Sequence, residues 1–350
     1  MEVDNNKINT LQDFLQSYEI DFTHSLDQKG LGSVYISEDK ATHQTLAVKS
    51  IEMHPMFDKG LVQARYRAAI DLSHPNLLPY FAAYRFEAEA TVQNFVLMPY
   101  IEEGNLQAWL PKLHQQQKIE LIAGILEALA YLHSKGHVWQ NLRSDHILIK
   151  KVQDILLPLC INYGAKEALA PNLFVYYEYL APEQLTDEES LDISTRTDIW
   201  SLGVLIYELF TGQLPFGKKS PQSPNKKIQS RILEAEIPTL ITAIPQPYQA
   251  VVRKCLEKEP ENRWNDIEEI KTYIAENPLK LSPKKLGILE TLEKMGEAED
   301  KDSADTSTKT KLPLLQRKVK RKPSKPVGWL EVFLWLVFAI LVGYLLSIWS

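Results

Sequence analysis

From Val332 to Trp349 the chain carries no charged residue. Nearly every position there is Val, Phe, Leu, Trp, Ala or Ile, and Gly343, Tyr344 and Ser347 are the mildest interruptions. With Trp329 and Leu330, such a run forms a helix of about 30 Å, the depth of a bilayer core. A soluble helix is seldom apolar on every face, so this segment predicts a transmembrane helix over 327–349. Trp329, Tyr344 and Trp349 suit the membrane interface, whereas Trp335 falls deeper. Arg317, Lys318, Lys320, Arg321, Lys322 and Lys325 lie just before the run. The positive-inside rule places that basic side, and everything N-terminal to it, in the cytoplasm. The cluster at 317–325 can also attract anionic lipid headgroups. Met1–Ile20 has no apolar run behind a basic start, so no signal peptide is expected there.

The chain as a whole has the composition of a globular protein, 45% hydrophobic and 24% charged, which argues against disorder or a disulfide scaffold. A net charge of −6 gives no reason to expect nucleic-acid binding. The two cysteines, Cys160 and Cys255, are far apart and lack metal-ligand spacing.

Apolar periodicity divides this part in two. Strand-like runs occupy Ser33–Ser37, Thr45–Ile51, Leu77–Ala83 and Asn94–Tyr100, with one helical stretch near 59–72 between them. Residues 105–277 read as mostly helical: Lys118–Ser134, Thr197–Thr211, Pro245–Glu257 and Trp264–Glu276. The expected organisation is an extension over 1–19, a domain over 20–277, and a polar linker over 278–326. The membrane helix follows.

Within 20–277 an ordered series of motifs resembles the eukaryotic-type protein kinase family. Gly32-Ser-Val34-Tyr35 looks like the end of the glycine-rich loop, and Leu46-Ala47-Val48-Lys49 like the strand bearing the ATP-binding lysine. Ser73-His74-Pro75-Asn76 is similar to the turn after the regulatory helix. Met98-Pro99-Tyr100-Ile101 looks like the hinge. Tyr179-Leu180-Ala181-Pro182-Glu183, Thr197-Asp198-Ile199-Trp200 and Pro260-Glu261-Asn262-Arg263 match later landmarks. The resemblance implies an α+β, bilobal kinase-like fold, with a small β-rich lobe and a larger helical one. It implies that Glu183 pairs with Arg263 and that Asp198 braces the catalytic-loop backbone. It also implies an adenine pocket from Gly32, Val34, Ala47, Met98, Ile101 and Leu148, with Lys49 for the phosphates.

The chemical positions depart from the family's pattern. Phosphoryl transfer needs a lysine, metal ligands and a carboxylate base held in place. Asp27 and Lys29 stand where the first two loop glycines belong, so close backbone approach to phosphate is hindered. The glutamate expected nine residues before His74 is Arg65, which would repel Lys49. The catalytic loop reads Trp139-Gln140-Asn141-Leu142-Arg143-Ser144-Asp145-His146. Asn141 replaces the base, a loss that typically costs about 10²–10⁴ in rate. His146 replaces a metal-ligating asparagine, and magnesium prefers oxygen. Arg143 keeps a positive charge where the family has lysine, and Asp145 is the nearest carboxylate. Asn162-Tyr163-Gly164 stands in place of D-F-G, so the principal metal carboxylate is a neutral amide.

These substitutions point to a membrane-tethered pseudokinase: a scaffold or allosteric regulator with protein partners, binding ATP weakly and without metal. Two alternatives stay open. One is an active, non-standard Ser/Thr-type kinase that transfers the γ-phosphate of ATP. The other is a nucleotide-independent membrane adaptor.

Overall fold

The computed structural model describes residues 8–27, 32–58, 60–88, 90–163, 177–185, 193–220 and 225–279. The proposed membrane helix, the basic cluster at 317–325 and the linker beyond Leu279 lie outside the described residues. No described helix is long and apolar enough to cross a membrane.

The small lobe is an antiparallel sheet of β1 (Tyr18–Asp27), β2 (Ser33–Asp39), β3 (Gln44–Met53), β4 (Ala82–Glu87) and β5 (Val92–Pro99). Its strand order is β1-β2-β3-β5-β4. Successive strand residues point to opposite faces, and the sequence uses this to build two cores. Leu46, Val48, Phe95 and Leu97 turn to one face, where they pack with Phe14 and Tyr18. Ala47, Ile51, Val96 and Met98 turn to the other.

Helix α1 (Leu11–Ser17) covers the first face. Thr10 caps it by accepting from the Asp13 amide, and Phe14 is wholly buried against Phe95, with ring centroids 4.6 Å apart. The segment read from sequence as an extension over 1–19 therefore supplies part of the small lobe's core. On the other face, a short α2 (Pro55–Asp58) precedes α3 (Leu61–Ile70), which buries Val62, Tyr66 and Ala69 along one stripe. Residues 77–81, expected to be strand, belong to no strand; Leu77 makes one isolated parallel bridge to Cys160.

The large lobe holds α4 (Leu106–Trp109), α5 (Gln115–Ser134), α6 (Thr195–Thr211), α7 (Asn225–Glu234), α8 (Tyr248–Cys255) and α9 (Ile267–Glu276). It also contains a hairpin of β6 (Ile147–Val152) and β7 (Ile155–Cys160), in a region read from sequence as mostly helical with no strand named. Helix α6 is the spine of this lobe: every residue from Thr197 to Leu209 is buried. Gly203 allows α8 to approach, because a Cβ there would stand 2.5 Å from the Cβ of Cys255. The bilobal α+β architecture is the one expected.

Candidate active-site cleft

Strand β3 sets the cleft. Its register places Val34 opposite Lys49, and Ala47 opposite Met98. Ala47 and Met98 are buried in the main core, and Val34, Ile101 and Leu148 are half-buried against it. The five apolar residues named for an adenine pocket thus belong to one cluster drawn from β2, β3, β5, the chain after β5, and β6. Gly32, at the start of β2, has φ +91°, and a Cβ there would sit 2.2 Å from the Ser50 carbonyl oxygen. Any side chain at this position would drive β2 from β3. Residues 28–31, including Lys29, lie outside the described residues.

Lys49 crosses the cleft and donates to Oδ1 of Asn162 at 3.1 Å. An ammonium has donors only, so the amide oxygen must face it. The hydroxyl of Tyr66 donates to the same Oδ1 at 3.3 Å. Asn162 has a left-handed backbone, φ 60°, and its N–H donates to the Tyr80 hydroxyl at 2.7 Å. Aromatic stacking supports this hub. Tyr66 meets Tyr80 edge-on and Tyr80 tilts against Tyr163, each pair with centroids 5.1 Å apart. The Tyr163 hydroxyl donates to the Leu78 carbonyl at 2.7 Å. Burial raises the pKa of Tyr80 well above the ordinary phenol range, so its hydroxyl stays neutral.

Arg65 occupies the position where the family has the glutamate that pairs with the lysine, and from sequence it was expected to repel Lys49. The residue of α3 that reaches Asn162 is Tyr66, one position further on. Arg65 is half-buried, and burial lowers its pKa.

The catalytic loop is held from beneath by Asp198, which is fully buried at the start of α6. Its carboxylate accepts from the amides of Trp139 and Gln140 at 2.7 and 2.6 Å, and from Nε2 of His133 at 2.9 Å. Gln140 adopts φ 60° over this brace.

Beyond it lies a compact knot. Arg143 is buried; its Nε lies 2.8 Å from Oδ1 of Asp145 and one terminal nitrogen lies 2.6 Å from Nε2 of His146. A guanidinium only donates, so Nε2 of His146 is the acceptor, and its Nδ1–H donates to the Asn141 carbonyl at 2.8 Å. The ring is held neutral: burial, then the neighbouring Arg143 charge, pushes its pKa well below the ordinary imidazole value. Arg143 stands where the family has lysine, and Asp145 pairs with its charge. The amide nitrogen of Asn141 is buried and has no hydrogen-bond partner among the described residues.

The end of the activation segment is tied to this loop through the hydroxyl of Tyr179. Tyr179 shares its hydroxyl between Ser144 Oγ, at 3.1 Å, and the buried carboxyl of Glu208 on α6. Burial raises the pKa of Glu208. Further along, Glu183 receives two hydrogen bonds from Arg263, both at 2.8 Å, and one from Thr197 at 2.9 Å. Arg263 uses its other donors on the carbonyls of Arg196, Glu257 and Lys258, each at 2.9 Å.

Residues 24–274 match the family model described as the protein kinase domain. The chain belongs to the protein kinase domain family. Its relatives include a probable serine/threonine-protein kinase PknB of Lactococcus lactis, 26% identical over 263 residues, covering 70% of this chain and 40% of the relative. The serine/threonine-protein kinase PrkC of Bacillus subtilis is 25% identical over 262 residues, 70% of this chain and 38% of that one. The serine/threonine-protein kinase PAK mbt of Drosophila melanogaster is 24% identical over 251 residues, again 70% and 38%. The chain thus spans about two fifths of the length of these three relatives.

Membership of the family implies ATP, and the chemistry of these residues fits it: the apolar cluster would face a flat base and the Lys49 ammonium would meet a phosphate. Magnesium fits poorly. An amide oxygen has two lone pairs, and Oδ1 of Asn162 already accepts two hydrogen bonds. Both nitrogens of His146 are likewise engaged. Among the described residues, no cluster of three or more His, Cys, Asp and Glu is placed to hold a metal.

Proposed function

We propose that this chain is a membrane-tethered pseudokinase that takes ATP as the free anion and acts through protein partners as a scaffold or allosteric regulator. One observation carries this reading: the side chains at both of the family's metal positions have their ligating atoms hydrogen-bonded to the protein itself. Lys49 and the apolar slot would hold the nucleotide. Asn141, a neutral amide, can orient a hydroxyl but cannot take its proton. The uncharged run at 332–349 supports the tether, and the basic cluster before it supports a cytoplasmic domain with contact to anionic headgroups.

The deciding experiment measures γ-phosphate transfer from ATP by the full chain, with magnesium and with manganese, beside Lys49→Ala and Asn141→Ala. The expected result is no transfer above the Lys49→Ala background. The names of the relatives favour a second reading, an active Ser/Thr-type kinase. Transfer that needs Lys49 and falls in Asn141→Ala would establish that second reading and end the first. Melting with ATP in EDTA is the companion measurement, because a ligand that binds the folded state raises its stability by mass action. No rise with either ATP or its magnesium complex would leave a nucleotide-independent adaptor.

A further inference from the structure

We infer that Tyr66 is the residue that makes this cleft selective for metal-free nucleotide, by occupying through its hydroxyl the acceptor that a magnesium ion would need. The inference rests on the reading of the cleft as a nucleotide site and adds to it the residue that sets its metal preference. Tyr66 is a positioning residue, because it acts through Asn162 and not on the nucleotide.

The argument starts from the count of lone pairs. Oδ1 of Asn162 is the atom left where the family has its metal carboxylate. Replacing a carboxylate by an amide weakens metal binding but leaves a hard oxygen, and amide oxygens do serve as ligands to hard cations. The substitution at 162 alone therefore does not close the site. Lys49 takes one lone pair at 3.1 Å, and Tyr66 takes the other at 3.3 Å. An incoming phosphate draws Lys49 toward itself and vacates its share of the oxygen. The Tyr66 hydroxyl has no such reason to leave. Tyr66 is 1% exposed, its ring lies edge-on against Tyr80, and Tyr80 holds the Asn162 amide. The donor and the acceptor are thus fixed to each other through a third side chain.

Nor can the second metal position compensate. Nε2 of His146 is committed to Arg143, and its Nδ1–H to the Asn141 carbonyl, inside a buried knot. Freeing Nε2 would turn the buried Arg143 away from an acceptor.

The test uses the full chain as wild type, Tyr66→Phe and Asn162→Asp. ATP affinity is measured in EDTA and in excess magnesium. Tyr66→Phe keeps the ring and its stacking and deletes only the hydroxyl. Wild type is expected to bind ATP equally in both conditions. Tyr66→Phe is expected to gain about fivefold or more from magnesium, and Asn162→Asp to gain at least as much. A magnesium gain in wild type overturns the inference. So does an unchanged Tyr66→Phe, whether or not Asn162→Asp gains. If wild type binds no ATP in either condition, the nucleotide reading falls by itself. Manganese alone, followed by its effect on water-proton relaxation, then decides the question. Tighter manganese binding by Tyr66→Phe than by wild type upholds the role of Tyr66, and equal binding ends it.

Discussion

His146 is neutral in the fold because both ring nitrogens are spoken for and a guanidinium lies 2.6 Å from one of them. In the unfolded chain it titrates near the ordinary imidazole value, about 6.5. Below that pH the unfolded state takes up a proton that the folded state refuses, so stability falls on acidification. The loss begins at 6.5 and continues down to the depressed folded value, at up to about 1.4 kcal/mol per pH unit. His146→Asn keeps a donor and an acceptor without the titration. Denaturant melts of both proteins at pH 7.5 and 5.5 should show the variant gaining on wild type at the lower pH. A constant difference would mean that the ring is already charged or does not resist charging. A second residue-scale case is Arg263, buried and hydrogen-bonded to Glu183 and to three backbone carbonyls. Removing one member of a buried pair costs about 3–5 kcal/mol, and Arg263→Ala should lower the unfolding free energy by that order. The Glu183–Arg263 pair and the Asp198 brace were legible from sequence because each residue sits inside a short motif at fixed spacing. Tyr66 was not. Motif spacing pointed to position 65, and which residue of a helix meets the cleft depends on its rotation against the sheet.

Among the elements, α1 shows how a helix too short to persist alone is held by what it buries. Its one fully buried side chain, Phe14, closes the aromatic face formed by Tyr18, Tyr84, Phe86 and Phe95. Phe14→Ala should cost about 3–5 kcal/mol, with faster hydrogen exchange in β3 and β5, the strands it covers. If exchange rose only within α1, the helix would be an appendage and not part of the core. From sequence, Phe14 sits in a seven-residue helix too short for its pattern to show which face is covered; its burial depends on a sheet face that includes Leu46, Phe95 and Leu97, far along the chain. The β6–β7 hairpin was missed for a related reason. Ile147-Leu148-Ile149 and Ile155-Leu156-Leu157 are apolar runs too short for periodicity to separate strand from helix. By contrast α5 and α6 were legible because their apolar stripes persist over 20 and 17 residues, and Gly212 at φ 71° ends α6 where the sequence implied.

For the molecule as a whole, the proposed regulator must be where its partners are, and the feature bearing on that is the uncharged run at 332–349. Leu, Ile, Phe and Val each favour the bilayer centre by about 0.3–0.6 kcal/mol, while one Arg there opposes insertion by about 2.5–3.5 kcal/mol. The run contains eleven of the first kind, Val332, Phe333, Leu334, Leu336, Val337, Phe338, Ile340, Leu341, Val342, Leu345 and Leu346, before Ile348 is added. Their sum reaches several kcal/mol, enough to insert, yet one or two central arginines would consume it. The expected outcome is that the full chain stays with membranes through alkaline carbonate washing, which strips proteins held only by charge. Leu341→Arg together with Val337→Arg should release it to the supernatant, with the kinase-family domain still melting at its original temperature. Replacing the six basic residues of 317–325 by glutamine should leave carbonate-resistant insertion intact, because headgroup attraction is a surface effect that the wash already removes. Release of the unaltered chain by carbonate would refute the tether. Release by the glutamine replacements alone would instead make charge, and not the apolar run, the source of membrane binding.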